Sequence, residues 1–379
     1  MIDIEAIAKA THVNDCLECG KCTANCPISR FTDAYSPRLN VGKFIQGYAD
    51  QLLQDDRLWD CLTCGMCNVR CPSDVKYTEF MKRMRLEAFK AGREATCSHG
   101  GAIQSLMRIM TSPAMNQNRL EWVPQEFNYT DNGELVYFVG CLPYFDAFFT
   151  DLEVNTLDTA KGVLKILNHL GITPVLLKNE RCCGHDLLWS GDVENFKKLA
   201  RHNVDEIKKS GAKKVLFSCA EGYRTFKLDY PQFLGPLDVE VVHMSEFLAE
   251  QIASNGLRLG QLDRKVTYQD PCRLGRHMSV YDPPREVMAS IPGLELVEMQ
   301  KNRNTAVCCG TSAWMNCNLT SKQIQTYRLK SAKATGADLL VTSCPKCYIH
   351  FKCAQKDENI SDQIGIDIQD LCAVTASAL

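Results

Sequence analysis

The 379-residue sequence predicts an α+β multidomain protein, in which a helical N-terminal domain precedes two copies of an α/β half-domain. Three observations support this fold class. Two cysteine motifs of identical spacing lie within the first 75 residues, and the apolar residues around them have helical periodicity. From residue 134, short apolar strands alternate with helical segments, which is typical of a parallel sheet. This strand–helix order occurs twice, at a period of about 126 residues.

The two N-terminal motifs share the spacing Cys-x2-Cys-x2-Cys-x3-Cys-Pro. Their cysteines are Cys16, Cys19, Cys22 and Cys26 in the first motif, and Cys61, Cys64, Cys67 and Cys71 in the second. In this bacterial ferredoxin spacing, three close thiolates hold one [4Fe–4S] cluster and the fourth ligates the other cluster. We therefore assign one cluster to Cys16, Cys19, Cys22 and Cys71, and the other to Cys61, Cys64, Cys67 and Cys26. Zinc is the alternative, but zinc sites usually use paired cysteines.

The segments that flank the second motif read as helices, which predicts a helical ferredoxin-type domain. Residues 41–59 place Phe44, Ile45, Tyr48, Leu52 and Leu53 on one side of a helix. A second helix is predicted over 77–89. The basic residues of that helix are predicted to be solvated, and they are Lys82, Arg83, Arg85 and Lys90. Residues 97–130 read as a helix and then a linker.

The predicted domain bounds are 1–96 for the ferredoxin-type domain, 97–133 for a helical connector, 134–259 for the first half-domain and 260–379 for the second. The strands predicted for the first half-domain are 136–140, 174–177, 214–218 and 239–243, and its helices are 155–170, 193–209 and 245–253. The strands predicted for the second are 266–269, 294–298, 338–342 and 364–368, and its helices are 284–290, 321–335 and a final helix.

Each half-domain carries cysteines just beyond its apolar strands, where α/β sheets bind cofactors. The first has Cys141, Cys182, Cys183 and Cys219, and the second has Cys272, Cys308, Cys309, Cys344 and Cys347. Adjacent cysteines suit a core of several iron atoms better than a single zinc ion. The alternative is that these cysteines pack as small apolar residues. A glycine, Gly222, stands where the first half-domain would have its fifth cysteine.

Composition limits the classes of function. The formal net charge of −2 argues against binding nucleic acid or an anionic membrane surface. The N-terminus lacks the features of a signal peptide, so the 21 cysteines indicate metal binding in the cytoplasm rather than disulfides. No apolar run reaches 18 residues, so any membrane association is expected through a partner. No glycine-rich dinucleotide motif follows a strand, so a flavin or nicotinamide is expected on another subunit.

The cysteine pattern of the half-domains resembles the cysteine-rich CCG domain found in the B and D subunits of heterodisulfide reductase. The run Leu58–Cys64 resembles the ferredoxin domain of the C subunit, and the runs Asp270–Arg276 and Asp282–Val287 are close to the versions in the family. The same architecture occurs in iron–sulfur subunits of glycolate, lactate and anaerobic glycerol-3-phosphate dehydrogenases. The resemblance implies that Cys272, Cys308, Cys309, Cys344 and Cys347 hold a noncubane [4Fe–4S] cluster that cleaves a disulfide.

By this resemblance, the chain is expected to be an oxidoreductase subunit of heterodisulfide reductase type. Electrons would pass from a flavoprotein or other redox subunit, through the two [4Fe–4S] clusters, to the CCG-bound cluster that reduces a disulfide. A membrane subunit is a further candidate partner. In the alternative, the chain binds the same clusters but has no substrate of its own. It then only relays electrons from a flavin dehydrogenase toward a quinone or carrier. A third, non-enzymatic interpretation is a zinc-stabilised interaction protein. Since oxidants attack exposed cluster sulfur, anaerobic handling is expected to be necessary.

The sequence departs from the family pattern at two places. Gly222 leaves the first half-domain four thiols, Cys141, Cys182, Cys183 and Cys219, for which we expect a fourth, labile cluster. Residues 311–317 replace the usual glycine-rich stretch and add a tryptophan and Cys317, which would reshape the substrate side. His185 and His277 are candidate proton carriers beside the cysteines, although a hydrogen-bonded structural role is the simpler interpretation. Cys353 and Cys372 are predicted to pack in the core.

Overall fold

The computed structural model describes residues 3–358 and 360–379. They form two compact units. The first unit contains residues 3–109, 184–196 and 307–325. The second contains residues 110–183, 197–306 and 326–379, apart from residue 359. The predicted domain bounds remain predictions.

The N-terminal part of the first unit consists of helices and loops. The helices are α1 (Ile4–Thr11), α2 (Lys21–Asn25), α3 (Pro37–Ile45), α4 (Ala49–Gln54), α5 (Tyr77–Lys90) and α6 (Ala102–Ile109). Short 3-10 turns lie at Val13–Asp15, Asp56–Trp59, Asn68–Arg70 and Ser98–Gly101. No strand occurs among the described residues 3–96. The prediction of a helical rather than a β-rich N-terminal domain is therefore confirmed.

The two half-domains alternate strands and helices. The elements of the first are β1 (Leu135–Phe138), α7 (Leu142–Phe148), α8 (Thr156–His169), α9 (His185–Ser190), α10 (Val193–Ser210), β2 (Lys214–Phe217), α11 (Ala220–Arg224), α12 (Tyr230–Leu234), β3 (Glu240–His243) and α13 (Met244–Ala253). Those of the second are β4 (Arg264–Gln269), α14 (Gly275–Met278), α15 (Asp282–Ala289), β5 (Leu294–Leu296), α16 (Leu319–Lys333), β6 (Leu339–Thr342), α17 (Pro345–Gln355), α18 (Ser361–Ile364), β7 (Asp367–Asp370) and α19 (Leu371–Ser377). Single 3-10 turns lie at Thr150–Leu152 and Arg303–Thr305, and a π-helical turn lies at Thr225–Asp229.

Each half-domain contributes a parallel sheet to the second unit. The first sheet has the order β1–β2–β3, and the second has the order β5–β4–β6–β7. In the first half-domain the strand predicted over 174–177 is reduced to bridges, and Val175 pairs in parallel with Val136 of β1. Val175 thus occupies the position beside β1 that β5 occupies beside β4. The strand–helix repeat predicted from the sequence is present, with one strand of the first copy shortened to a bridge.

The last strand of the second sheet lies later in the chain than predicted. Residues 364–368 were expected to form it, whereas β7 spans Asp367–Asp370 and Ile364 ends the helix α18. The side chain of Gln355 donates hydrogen bonds to the carbonyls of Ile364 and Ile366, at 3.2 and 2.8 Å. These carbonyls are therefore satisfied by a side chain instead of a sheet partner, and the strand begins after them.

A hydrophobic core extends through both half-domains within the second unit. Helix α8 packs against α19, and α13 packs against α15. The core includes Leu164, Leu248, Val287 and Val374, all of which are buried. Gly162 of α8 permits the close approach to α19, because a Cβ at this position would lie 2.8 Å from the carbonyl oxygen of Cys372. The two copies are therefore packed together by helices rather than by a shared sheet.

The helix predicted over residues 41–59 is interrupted. Helix α3 ends at Ile45, and Gly47 adopts a φ of +85°, a left-handed conformation that glycine accepts readily. After this turn the helical phase is reset, so Phe44 and Leu52 are buried while Tyr48 is 47% exposed. The prediction of one continuous apolar face was wrong because the periodicity was extended across the glycine.

The basic residues of α5 are not all solvated, contrary to the prediction from the sequence. Arg85 is fully buried and Lys82 is only 7% exposed. Lys82 pairs with Glu79 at 2.7 Å, and α9 packs on the same side of α5. Gly191, just after α9, allows this packing, since a Cβ there would lie 2.5 Å from the carbonyl oxygen of Arg85. Part of the basic face of α5 is therefore an internal surface of the first unit.

Candidate metal centres

The cysteines of the first motif lie on a surface loop that leads into α2. Gly20 precedes this helix with a φ of +74°, which reverses the chain between Cys19 and Cys22. Cys16, Cys19 and Cys22 line a small cavity together with Cys67 and Cys71 of the second motif. Cys19 is exposed, and the neighbouring Leu17 is 70% exposed. The structure thus brings together the four cysteines assigned to one cluster, close to the surface.

The cysteines of the second motif are more deeply placed. Cys61 and Cys64 are each 7% exposed, and the intervening Thr63 adopts a positive φ of 46°. Burial raises the pKa of Cys26 to about 12, and negative charge on Cys64 and Cys61 also acts to raise it. Cys26 therefore lies beside the second motif. The crossed assignment of Cys26 to the second cluster remains a prediction.

Three residues that the sequence analysis did not single out hold the second motif. Arg85 donates hydrogen bonds to the carbonyls of Leu58, Trp59 and Cys61, at 3.2, 3.1 and 2.7 Å. Burial raises the pKa of the Cys61 thiol, whereas the charge of Arg85 and a hydrogen bond from Tyr35 lower it. The hydroxyls of Tyr35 and Tyr77 are 2.7 Å apart. Such contacts beyond the ligands fix the orientation of metal-binding side chains and stabilise their anionic form.

The loop of the second motif also contacts the loop that follows Cys309. Thr63 Oγ1 lies 3.1 Å from Ser312 Oγ, and the amide of Asn316 donates to Asp60 at 2.8 Å. Gln104 of α6 donates to the carbonyl oxygen of Ala313 at 2.9 Å. The divergent run 311–317, noted in the sequence for its tryptophan, is therefore part of the first unit, where Trp314 is 1% exposed. Within this unit, the residues after Cys309 pack against the ferredoxin-type motif.

In the first half-domain, Cys141 and Cys219 follow adjacent parallel strands. Phe138 of β1 is paired with Phe217 of β2, and the cysteines come three and two residues later. The loop before Cys141 is held by Glu180, which accepts hydrogen bonds from the backbone of Val139 and Gly140 at 3.1 and 2.7 Å. Arg119 forms a buried ion pair with Glu180 at 2.5 Å.

The backbone of the adjacent pair, Cys182 and Cys183, is also fixed by hydrogen bonds within the second unit. Asn203 donates to the carbonyl oxygen of Cys182 at 3.0 Å, and the hydroxyl of Tyr230 donates to that of Cys183 at 3.0 Å. Burial raises the pKa of Cys219 well above its usual value, and the charges of Cys344, Glu221 and Cys183 act in the same direction. Negative charge on Cys183 therefore acts on the thiol of Cys219.

The second half-domain repeats this placement at β4 and β6. Gln269 is paired with Thr342, and Cys272 and Cys344 follow three and two residues later. Cys344 caps the start of α17 and Cys347 lies in its first turn, and both are buried. Cys308 and Cys309 are also buried, at 2% and 5% exposure, and belong to the first unit. Gly310 adopts a φ of +88°, and a Cβ there would lie 2.8 Å from the carbonyl oxygen of Ser321.

The chemistry of these donor sets fits iron–sulfur clusters. Every set consists of cysteine sulfur alone, and soft thiolates are the usual ligands of such clusters. All 21 cysteines lie in the described part of the chain, and none of them forms a disulfide there. Burial raises the pKa of the Cys67 and Cys219 thiols well above the usual value, because burial disfavours a thiolate. A bound cation would reverse this effect and keep the coordinating thiols deprotonated.

The remaining candidates are two histidines and the cysteines outside the motifs. His185 Nδ1 lies 2.8 Å from Asp186 Oδ1 in the first unit. In the second unit, His277 lies between two guanidinium groups, 2.9 Å from Arg273 and 3.0 Å from Arg224. The cysteines outside the motifs are Cys97 and Cys353, which are half-buried, Cys317, which is exposed, and Cys372, which is 2% exposed. Core packing is thus confirmed for Cys372 and is only partial for Cys353. No helix in the described residues is both long and apolar enough to cross a bilayer.

Two family models match the chain in the order that the structure gives. A 4Fe-4S dicluster domain matches residues 12–75, and a cysteine-rich domain, CCG, matches residues 135–227 and again 266–352. The chain is therefore an iron–sulfur protein that joins a dicluster domain to two CCG domains. It belongs to the family of iron–sulfur proteins that includes the D subunit of heterodisulfide reductase, as the following similarities indicate.

The D subunit of the dihydromethanophenazine:CoB–CoM heterodisulfide reductase of Methanosarcina mazei is 37% identical over 271 residues, which cover 69% of this chain. The match spans only 63% of the length of that relative. The EtfAB:quinone oxidoreductase of Syntrophomonas wolfei is 29% identical over 225 residues, covering 56% of this chain and 30% of the relative. Among solved structures, a hypothetical protein from Helicobacter pylori has a TM-score of 0.54 at 12% identity, covering 100% of this chain and 77% of that chain. At this identity the last match shows the fold alone.

Proposed function

We propose that this chain is an electron-conducting subunit of heterodisulfide reductase type, in which the second half-domain reduces a disulfide. The observation that best supports this proposal is the contact between Thr63 Oγ1 and Ser312 Oγ, at 3.1 Å. It joins the loop of the second cysteine motif to the loop after Cys309. A protein that conducts electrons from the N-terminal motifs to the second half-domain needs such a contact, because electron transfer requires short distances.

The proposed ligand sets follow the sequence assignment. Cys16, Cys19, Cys22 and Cys71 would hold one [4Fe–4S] cluster, and Cys61, Cys64, Cys67 and Cys26 would hold another. Cys272, Cys308, Cys309, Cys344 and Cys347 would hold the noncubane cluster, and Cys141, Cys182, Cys183 and Cys219 would hold a labile fourth. When bound, these clusters supply one-electron transfer. Cys71 lines the cavity of the first motif, which Cys67 also lines, and negative charge on Cys61 acts on Cys26; both observations are compatible with the crossed assignment.

The burial of the cysteines suggests the place of each proposed cluster in the path of the electrons. Cys19 and Leu17 are exposed, so the first motif is where we propose that a flavoprotein or other redox partner delivers electrons. Cys61 and Cys64 are buried, and Arg85 and Tyr35 stabilise negative charge on Cys61. Cys344 and Cys347 are buried at the start of α17, which excludes water from the reacting side. Reduction of a disulfide consumes two electrons and two protons and releases two thiols.

The test is disulfide reduction by the anaerobically reconstituted chain, with reduced viologen as the electron donor. We expect wild type to consume two viologen equivalents per disulfide. Cys309→Ala should abolish the activity, and Cys183→Ala should retain part of it, because only the second half-domain has all five cysteines of the motif. Equal and complete loss in both variants, with iron content retained in the N-terminal motifs, would contradict the assignment to the second half-domain.

A second candidate function is relay without substrate chemistry, from a flavin dehydrogenase toward a quinone. It is favoured by the similarity to an EtfAB:quinone oxidoreductase and by the incomplete cysteine set at Gly222. In this case viologen would reduce the protein but no disulfide would be consumed. Anaerobic co-purification of the attached subunits would then identify the donor and the acceptor.

A further inference from the structure

Two residues of opposite charge occupy equivalent positions in the two half-domains. Glu221 lies two residues after Cys219, and Lys346 lies two residues after Cys344. The equivalence follows from the sheets, because Cys219 and Cys344 each come two residues after the last residue of β2 and β6. In each case the charged residue lies in the first turn of the helix that follows, α11 or α17. The copies therefore differ here in the sign of a charge.

These two residues form an ion pair with each other. Lys346 Nζ lies 2.6 Å from Glu221 Oε2, and their side chains are only 5% and 12% exposed. Solvent and salt screen a buried pair far less than a surface pair, so its field acts on nearby groups. Both residues belong to the second unit, so the contact joins the two half-domains within that unit.

The ion pair lies among the thiols of both half-domains. Lys346 stands between Cys344 and Cys347, and Glu221 stands between Cys219 and Gly222. Negative charge on both Cys344 and Glu221 raises the pKa of the Cys219 thiol, after burial itself, so Cys219 lies near both. By position in the sequence, the carboxylate belongs to the first half-domain and the ammonium belongs to the second.

We propose that the Glu221–Lys346 ion pair orders the reduction potentials of the two half-domains, raising that of the second relative to the first. A positive charge stabilises an added electron and a negative charge disfavours it, and charge around a cluster is one of the main determinants of its potential. Electrons that reach the half-domains would then collect at Cys272, Cys308, Cys309, Cys344 and Cys347. Glu221 and Lys346 are positioning residues, since they act through the thiols. This inference rests on the proposed function, because it requires a cluster at these five cysteines.

The experiment reverses the pair without removing it. In the full-length, anaerobically reconstituted protein, Glu221→Lys is combined with Lys346→Glu, and the midpoint potentials are measured by redox titration followed with electron paramagnetic resonance. The potential of the second half-domain signal should fall, and that of any first half-domain signal should rise. The matched control is the combination Glu153→Lys with Lys356→Glu. That pair also joins the half-domains, at 2.8 Å, but its side chains are 75% and 41% exposed, so no shift is expected.

An unchanged potential in the reversed protein, at wild-type iron content, would overturn the inference. Failure of the proposed function has a different signature. In that case, the Cys344→Ala variant would have the same iron content and the same spectrum as wild type. If the reversed protein does not fold, the neutral variants Lys346→Met and Glu221→Gln replace it. These should shift the second half-domain potential down and up, respectively. The downward shift should be the larger, so the combination should leave a smaller net downward shift. Shifts of the same sign, or none, would overturn the inference.

Discussion

Thr63 Oγ1 and Ser312 Oγ lie 3.1 Å apart, although 249 residues separate them in sequence, and both side chains are buried. Thr63 lies between Cys61 and Cys64, and Ser312 follows the Cys308-Cys309-Gly310 run by two residues. Together with the hydrogen bond from Asn316 to Asp60, this contact connects a loop of the N-terminal motifs to a loop of the second half-domain. This contact is the basis of the first prediction.

Ser312→Ala should slow electron transfer from the N-terminal motifs to the second half-domain, because it removes one of the hydrogen bonds that hold the two loops together. Loss of one such bond costs about 1 kcal/mol of stability, so the fold and the iron content should persist. Stopped-flow reduction, followed at the two sets of cluster signals, measures the rate. Thr11→Val is the control, since the buried Thr11 hydroxyl donates only within α1, to Ile7 at 2.7 Å. Equal rates in the two variants would count against this route.

Cys26→Ser should damage the cluster of the second motif rather than that of the first. The reason is the location of Cys26, whose thiol is influenced by the charges of Cys64 and Cys61. Cys71→Ser is the matched variant, because Cys71 shares a cavity with Cys16, Cys19 and Cys22. It should damage the first cluster. Electron paramagnetic resonance of both variants distinguishes the clusters, and damage confined to the cluster of the mutated motif in each case would disprove the crossed assignment.

Arg85→Met should destabilise the protein by about 3 kcal/mol or more, because several buried carbonyl groups would lose a charged hydrogen-bond donor. These carbonyls belong to Leu58, Trp59, Cys61 and Trp189. The thermal midpoint of the reconstituted protein measures the effect. Arg83→Met is the control on the same helix, since Arg83 is 39% exposed and pairs with Glu79 at the surface. It should change stability by less than about 1 kcal/mol. Similar small losses in both variants would show that Arg85 does not hold the loop.

Gly222→Cys should complete the cysteine set of the first half-domain and stabilise iron binding there. Gly222 is helical, and a Cβ would lie 3.2 Å from Phe217 Cδ1, so the ring must move by a few tenths of an ångström. With four irons per cluster, reconstituted iron should approach roughly 16 per chain, against roughly 12 if the first half-domain is empty. Gly222→Ala adds the same Cβ without sulfur and should not raise the iron content. An equal increase in both variants would exclude a ligand role for the new thiol.

Asp370→Asn should make the stability of the protein less dependent on pH. Burial raises the pKa of Asp370 to about 7, well above its value in an unfolded chain, so the folded state holds a proton that the unfolded state releases. The stability that this proton provides is complete below about pH 4 and is lost as the pH rises toward 7. Between pH 5.5 and 7, wild type should therefore lose about 2 kcal/mol relative to the variant. Asn can still accept the helix-capping hydrogen bond from Cys372. If the thermal midpoints of wild type and Asp370→Asn changed equally with pH across this range, the assigned pKa would be contradicted.

Local patterns were enough to predict the parts of the fold that depend on neighbours in sequence. The proline-terminated spacing identified both N-terminal motifs, and the apolar runs located β1, β2, β4 and β6 within one or two residues of their observed bounds. The cysteines after β4 and β6 share one edge because parallel strands end on the same side, which the sequence order already implies.

What the sequence could not provide were contacts between distant segments. The burial of Arg85 depends on α9, which comes some 100 residues later, so its charge alone suggested a solvated surface. The strand expected over 174–177 became a bridge at Val175, because sheet pairing depends on partners rather than on propensity. The helices α9 and α17 begin within two residues of a cysteine, at His185 and Pro345, and the sequence pattern did not predict them. The contact between Thr63 and Ser312 likewise has no local signal.

The meeting of Glu221 with Lys346 bears on the ancestry of the molecule. If the half-domains arose by duplication of one gene, the newly duplicated chain carried the same residue at both positions. Two glutamates or two lysines would then have faced each other in a buried place, where like charges repel strongly. The ancestor therefore either had an uncharged residue here or did not pack its copies in this way. Opposite charges could be acquired only after duplication, when the two equivalent positions could change independently. This contact therefore indicates that the two half-domains have diverged from each other.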